Sequence, residues 1–196
     1  MHIILASGSP RRKELLQNLG LEFTVIPSEA EEVITNEKPE DIVEELSFIK
    51  AADIAEKCGE TDAMIIGADT IVGIHGKVLG KPKDPGNAKD MLRQLQGNVH
   101  QVFTGVTVII LEHSQKKIYK FSEKTEVKMY PMTKEEIDTY VATKEPLDKA
   151  GAYGIQGKAA AYIEGICGDY NNVVGFPISR FYHEMQKIGI DLKKID

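Results

Sequence analysis

The chain has 196 residues, 42% hydrophobic and 28% charged, a composition that excludes a disordered or fibrous polymer and supplies enough apolar residues for a substantial core. A net charge of −6, from 24 basic and 30 acidic residues, argues against a nucleic-acid partner, which usually demands a basic face. No apolar run approaches the roughly 20 residues that a membrane-crossing helix needs. Cys58 and Cys167 show neither CxxC nor metal-ligand spacing, and the first residues read as a strand rather than a leader, so a reducing, cytoplasmic setting is expected, with a bridge between the two cysteines as the alternative.

Strand and helix signals alternate from the start. Residues 2–6 read as a buried strand. Pro10 then opens a helix to about Leu19, with Ser9 in the N-cap position, Leu15, Leu16 and Leu19 on the apolar face and Gly20 as its stop. Residues 23–26 read as a second strand and 27–38 as an acidic, irregular loop. A helix over 39–58 follows, with Glu40 and Asp41 in the first turn, where the helix dipole favours them. Residues 63–72 form a strongly apolar strand leading into a hairpin over 73–79 that turns at His75-Gly76. Asp84-Pro85 starts a helix with Ala88, Met91, Leu92 and Leu95 on one face and Gly97 at its end. Two long β stretches, 99–111 and 117–130, with a polar turn between them, predict an antiparallel pair. Thr133 and Glu136 have capping-box spacing for a helix to about Thr143. The glycine-rich stretch 151–175 predicts short strands or loops, and the last helix presents Ile178, Phe181, Tyr182, Met185 and Ile188. The alternation predicts one α/β domain over 1–196 with a mixed twisted sheet and flanking helices, and leaves room for a cleft between two lobes.

Several polar residues break these patterns. Arg11, Arg12 and Lys13 crowd the first turn of the first helix, where the dipole is already positive and each cation costs about 0.3–1 kcal/mol. Either they face solvent, or the Ser7-Gly8-Ser9 turn aims N–H groups at an anion to which the two arginines add forked donors. A GxxxxGK[ST] loop is absent. Lys50 falls on the arc of Ile42, Val43, Leu46, Ile49 and Ile54, so it either snorkels outward or meets an anion. Asp69 interrupts the apolar "MIIGADTIVGI", a costly place for an unpartnered carboxylate. With Gly67 and Ala68 leaving room beside it, a metal ligand or general base is expected over a structural cap. Lys81, in "LGKPKDP", is either an exposed loop lysine or a further cation for the same anion, and the glycines around Gln156 either only make turns or let its amide pair with a base edge. Glu31 and Glu32 are either solvated charge or, with Asp69, oxygen ligands for a divalent ion such as Mg²⁺. Cations for phosphate together with carboxylates for a metal suit metal-assisted attack on a phosphoanhydride.

The segments "LASGSPRRKELL", "SEAEE", "IKA", "GADTIV", "GKP", "EPLDKAGAYGIQG" and "NNVVGFP", in this order, make the chain resemble the Maf family of nucleoside triphosphate pyrophosphatases over nearly its whole length. The resemblance implies hydrolysis of a nucleoside triphosphate to the monophosphate and pyrophosphate, with Mg²⁺ or Mn²⁺ as cofactor. It implies phosphate contacts from Ser7, Arg11, Arg12, Lys50 and Lys81, a proton-accepting Asp69, and metal binding by Glu32 with Asp69. Arg11, Thr70 and Gln156 match the Arg, Thr and Gln of the subgroup acting on dTTP and UTP, and a Gln amide can pair with part of a uracil or thymine imide edge. The implied fold is an elongated α/β structure, two lobes around a cleft, similar to the inosine triphosphate pyrophosphatases. Ser47, where the family often has Ala, and Phe176, where Leu is frequent, are departures that bear on packing.

The expected chemistry is in-line attack of water on the α-phosphorus. Asp69 orients or deprotonates that water, and the basic residues stabilise charge on the leaving pyrophosphate. The competing expectation is a non-catalytic nucleotide-binding regulator of septum formation that acts through a protein partner. Either way the ligand is a small nucleoside triphosphate, with no nucleic acid and no membrane involved, and the resemblance leaves a homodimer open.

Overall fold

The computed structural model describes residues 1–112 and 115–194. In chain order the elements are β1 (His2–Leu5), α1 (Pro10–Gln17), β2 (Thr24–Val25), α2 (Pro39–Lys57), β3 (Ala63–Ile74), β4 (Lys77–Leu79), α3 (Pro85–Leu95), β5 (Val99–Glu112), β6 (Gln115–Met129), α4 (Lys134–Ala142), β7 (Ile163–Cys167), α5 (Tyr170–Val174) and α6 (Ile178–Lys187). Among the described residues seven strands form one sheet, in the order β2-β1-β3-β5-β6-β7, with β4 beside β3. β1 runs parallel to β2 and β3, whereas β3–β4 and β6–β7 are antiparallel, so the sheet is mixed as expected. β5 and β6 are neighbours, and the polar turn expected between them falls on residues 113–114, outside the described residues.

The chain divides into two compact units, and β3, β5 and β6 pass from one to the other. The first comprises Met1–Asp69, Thr104–Glu123 and Gly175–Asp196. Part of its core is Ile4, Ala6, Ala51, Ile54, Ala63, Ile65 and Ile109. α2 is seated on the sheet at two glycines. A Cβ on Gly67 would lie 2.3 Å from the Ser47 carbonyl oxygen, and one on Gly105 would lie 2.2 Å from that of Val43. No side chain fits between strand and helix at either place. Ser47 is fully buried, and its hydroxyl pairs with Thr107 Oγ1 at 2.9 Å and donates to the Glu44 carbonyl at 3.0 Å. Phe176 is also fully buried, edge-on to Phe181 at 5.3 Å.

The second unit comprises Thr70–Phe103 and Lys124–Val174. Its core gathers Val72, Leu92, Leu95, Val102, Met129, Tyr140 and Tyr153. α3 buries the four residues its periodicity selects, Ala88, Met91, Leu92 and Leu95, and Asp84 caps it by accepting the Asn87 N–H at 2.8 Å. The β3–β4 hairpin turns at His75 and Gly76, with φ of +48° and +74°, the two positive values that a tight two-residue turn requires. Both bonds of the Thr133–Glu136 capping box are present.

Some expectations change. β2 is shorter than expected, in register with β1 at Thr24 and Val25, and the Ile26 N–H then donates to the Leu5 carbonyl at 3.0 Å. α1 ends at Gln17, and the chain leaves it through Leu19 and Gly20, whose φ is +74°. Ser9 stands in the cap position without a side-chain cap bond; its own N–H donates instead to Ser7 Oγ. The stretch 151–175 is mostly 3-10 turns and the short α5, with β7 its one strand. The segment Lys158–Tyr162, "KAAAY", lacks β-branched residues and so favours a helical turn.

Candidate active site

Ser7 is buried in the turn between β1 and α1, and its hydroxyl accepts both the Ser9 N–H at 3.3 Å and Arg12 Nη1 at 3.0 Å. Arg12 Nε donates to the Gly175 carbonyl at 2.9 Å. Gly175 has a φ of +127°, a backbone state open to glycine, which lets the "GFP" segment turn its carbonyl toward the guanidinium. The solvent-facing alternative therefore applies to Lys13, which is exposed, and not to Arg12. Arg11 is half-buried. Burial pulls the Arg12 guanidinium below its ordinary value, Asp69 pulls it back up, Arg11 pushes it down again and Glu32 raises it. Arg12 thus shares its field with both candidate carboxylates.

Lys50 does not snorkel. Seated by α2, its side chain is 17% exposed, and its ammonium lies 3.0 Å from Glu32 Oε1 while donating to Asp69 Oδ1. Asp69 is 14% exposed and is paired where the apolar strand demanded a partner. The room left by Gly67 is filled by the α2 backbone, so that glycine serves helix docking rather than ligand approach.

The loop carrying Glu32 is tied to the same helix at both ends. Asp53 Oδ2 accepts Ser28 Oγ at 2.7 Å and the Glu29 N–H at 3.2 Å. Glu45 accepts the Thr35 hydroxyl at 2.5 Å, the Thr35 N–H at 2.9 Å and the Asn36 N–H at 3.3 Å. These bonds, the Thr35 hydroxyl first, hold the Glu45 carboxyl down at about 2. Lys57 and then Ser28 lower the Asp53 carboxyl. Sequence reasoning missed Glu45, Asp53 and Gly175. The available signal was two carboxylates flanking Lys50 on one helix, opposite a loop with Ser28 and Thr35 near its ends.

Thr70, Lys81 and Gln156 belong to the second unit. Thr70 follows Asp69 on β3 and is half-buried, and Lys81 is exposed in the bend after β4. The glycine-rich segment reaches that bend, where the Gly151 N–H donates to the Gly80 carbonyl at 3.0 Å. Gln156 is exposed in a turn bounded by Gly154 and Lys158, and that turn is bonded to Tyr140 and Glu145, two further residues the sequence did not single out. In the same unit His100 is wholly buried, with Nε2 2.8 Å from Tyr153 Oη.

Among the described residues no group of three or more His, Cys, Asp and Glu side chains forms a ready metal cage. Glu32 and Asp69 nevertheless meet on one cation, the Lys50 ammonium, so two hard carboxylate ligands converge. That donor set fits Mg²⁺ or Mn²⁺, which complete their shells with water and phosphate oxygens. Glu31 is exposed and outside this pair. Cys58 and Cys167 are free, and no helix among the described residues is long and apolar enough to cross a membrane.

A family model described as Maf-like protein matches residues 2–188. A dTTP/UTP pyrophosphatase of Agathobacter rectalis is 48% identical, covering 97% of this chain and 98% of that protein. Another so named, from Lachnoclostridium phytofermentans, is 51% identical over 98% of each. Among solved structures, the Staphylococcus aureus Ham1 protein aligns at a TM-score of 0.47 and 18% identity, over 96% of this chain and all (100%) of that one. With a family match spanning residues 2–188 and near-full-length relatives at about half identity, this chain belongs to the Maf-like proteins.

Proposed function

We propose that this chain hydrolyses nucleoside triphosphates, dTTP and UTP foremost, to the monophosphate and pyrophosphate, clearing them from the nucleotide pool. One observation carries the assignment: a single ammonium, Lys50, is held between Glu32 and Asp69 within the field of Arg12. The substrate pair follows from the names of the relatives and from Arg11, Thr70 and Gln156.

Ser7, Arg11, Arg12, Lys50 and Lys81 bind the phosphates. Arg12 is already held by Ser7 and Gly175, so little side-chain freedom remains to be lost on binding. Lys50 neutralises two carboxylates, and a triphosphate competes with them for its three donors. Glu32 and Asp69 are the residues that would hold Mg²⁺ or Mn²⁺, which supplies Lewis-acid charge to phosphate oxygens and lowers the pKa of bound water. Asp69 orients the attacking water and accepts its proton, while the basic side chains stabilise the departing pyrophosphate. Arg11, Thr70 and Gln156 select the base. The free cysteines support a cytoplasmic setting, and a net charge of −6 supports a small nucleotide over nucleic acid as ligand. The family resemblance leaves a homodimer open, which light scattering checks.

The test is a substrate panel of UTP, dTTP, CTP and purine triphosphates with Mg²⁺ or Mn²⁺, reading pyrophosphate and orthophosphate separately. Pyrophosphate equal to the monophosphate formed, highest for UTP and dTTP, is the expected result. Orthophosphate alone overturns the bond assignment. Nucleotide binding without turnover in either metal replaces the enzyme with the regulatory alternative.

A further inference from the structure

Gln156 is exposed, between Gly157 and the buried Ile155. The turn is fixed from below. The Gly157 N–H closes it onto the Gly154 carbonyl at 3.0 Å. At one end the Gly154 N–H donates to Tyr140 Oη at 3.2 Å. At the other the Lys158 N–H forks onto Glu145 Oε1 and Oε2 at 3.1 and 3.2 Å. Tyr140 Oη donates to Glu145 Oε1 at 3.0 Å, joining the two anchors into one. Burial raises the Tyr140 hydroxyl above its ordinary value, which keeps it protonated as that donor.

The carboxylate is lodged tightly. A Cβ on Gly157 would fall 2.0 Å from Glu145 Oε1, so the carboxylate holds this place only while residue 157 is glycine. Lys149 Nζ donates to the Glu145 carbonyl at 2.7 Å, and a Cβ on Gly154 would fall 2.6 Å from Lys149 Cε. Two non-glycine residues in this segment hold left-handed backbone, Lys144 at φ +65° and Ala152 at φ +59°. Such strain persists where surrounding contacts over-determine a conformation, and it clusters at ligand clamps.

Resting on the assignment of Gln156 to the base, we propose that Glu145 is a positioning residue for base selectivity, clasping the 154–158 turn so that the Gln156 amide meets a uracil or thymine imide edge. Hydrogen bonds demand angle as well as distance, so a loosened turn loses discrimination before it loses catalysis. Cytosine is the informative competitor, because its amino group and unprotonated ring nitrogen invert the donor and acceptor order of the uracil edge.

The experiment compares kcat and KM of the full chain and of Glu145→Ala, Glu145→Gln, Tyr140→Phe and Gln156→Ala on UTP and CTP by pyrophosphate release. Glu145→Ala is expected to raise KM for UTP about tenfold with kcat nearly unchanged, the signature of lost binding rather than lost chemistry. The UTP-to-CTP ratio of kcat/KM falls toward that of Gln156→Ala, and combining the two changes adds little, as for residues acting as one unit. Glu145→Gln, which keeps an acceptor for Lys158, recovers part of the ratio. A Gln156→Ala effect on selectivity that neither Glu145→Ala nor Tyr140→Phe reproduces overturns the clasp and leaves the base assignment standing. A Gln156→Ala enzyme with the unaltered ratio overturns the base assignment, and the clasp with it. If Glu145→Ala does not fold, Glu145→Gln and Tyr140→Phe decide the matter alone.

Discussion

The acidic loop 27–38 and the glycine-rich turn 154–158 are both irregular, and both carry a residue assigned to the ligand, Glu32 in one and Gln156 in the other. They are held by different means. The loop is lashed by side chains that reach across from α2, with Glu45 and Asp53 tying its ends and Lys50 its middle. The turn is wrapped around the Glu145 carboxylate, with glycine backbone in direct contact with it. Surface lashings are each worth little and break one at a time. The turn's two ends share one carboxylate, directly and through Tyr140, so losing Glu145 loosens both together. On the function proposed above, phosphate and metal binding would adjoin the first kind of restraint, and base selection the second.

The largest expected effect lies beside the lashed loop. Asp69→Asn lowers kcat for UTP by about 10²–10⁴-fold with KM little changed, the span associated with a positioned acid–base group; unaltered turnover in steady-state assays removes Asp69 from the chemical step. Acid titration separates the two regions next. Burial holds the His100 imidazole down at about 4, whereas in the unfolded chain it protonates near its ordinary 6.5. Only the unfolded state gains a proton between those values, so stability is full above pH 6.5 and declines by up to roughly 3 kcal/mol as pH falls toward 4. Glu45, held at about 2, contributes above its ordinary 4.5 and is lost only as pH falls toward 2. Thermal melts should therefore show a first acid-sensitive step that a His100→Gln variant abolishes and a Glu45→Gln variant leaves in place.

Glycine substitution sharpens the contrast further. Gly157→Ala, whose Cβ would fall 2.0 Å from Glu145 Oε1, should push that carboxylate off the Lys158 N–H and cost about 0.5–1.5 kcal/mol, the worth of the bond lost. Gly8→Ala, whose Cβ would meet Pro27 no nearer than 3.6 Å, should leave the melting temperature nearly unchanged. Equal melting temperatures for the two variants erase the distinction. The smallest effect is expected from single lashings: Glu45→Gln or Asp53→Asn should raise the Mg²⁺ concentration needed for half-maximal activity by less than threefold, about what a surface contact is worth, and the double variant by more.

Much of this was legible in the sequence wherever a rule is local. The α3 stripe, the His75-Gly76 turn and the Thr133–Glu136 box each depend on residues a few positions apart. The misfit of Arg12, Lys50 and Asp69 was visible for the same reason, since each violates its own element. Their partners were less visible. Nothing local says that the Gly175 carbonyl turns toward Arg12, that Gly67 admits a helix rather than a ligand, or that Glu145 reaches two turns of chain ahead to Lys158. Those facts depend on which backbone surfaces meet after folding, which a hydrophobic period does not encode.

The seating of α2 on Gly67 and Gly105 has a consequence for how activity can be switched off. One methyl group added to either strand position would lift the helix by about 1 Å, a displacement large enough to cost orders of magnitude in rate when it moves a reacting group. Lys50, and with it the Glu32 loop fastened to the same helix, would withdraw from Asp69, so a silent-looking Gly-to-Ala exchange deep in the sheet would break the pairing while every charged residue stayed in the sequence.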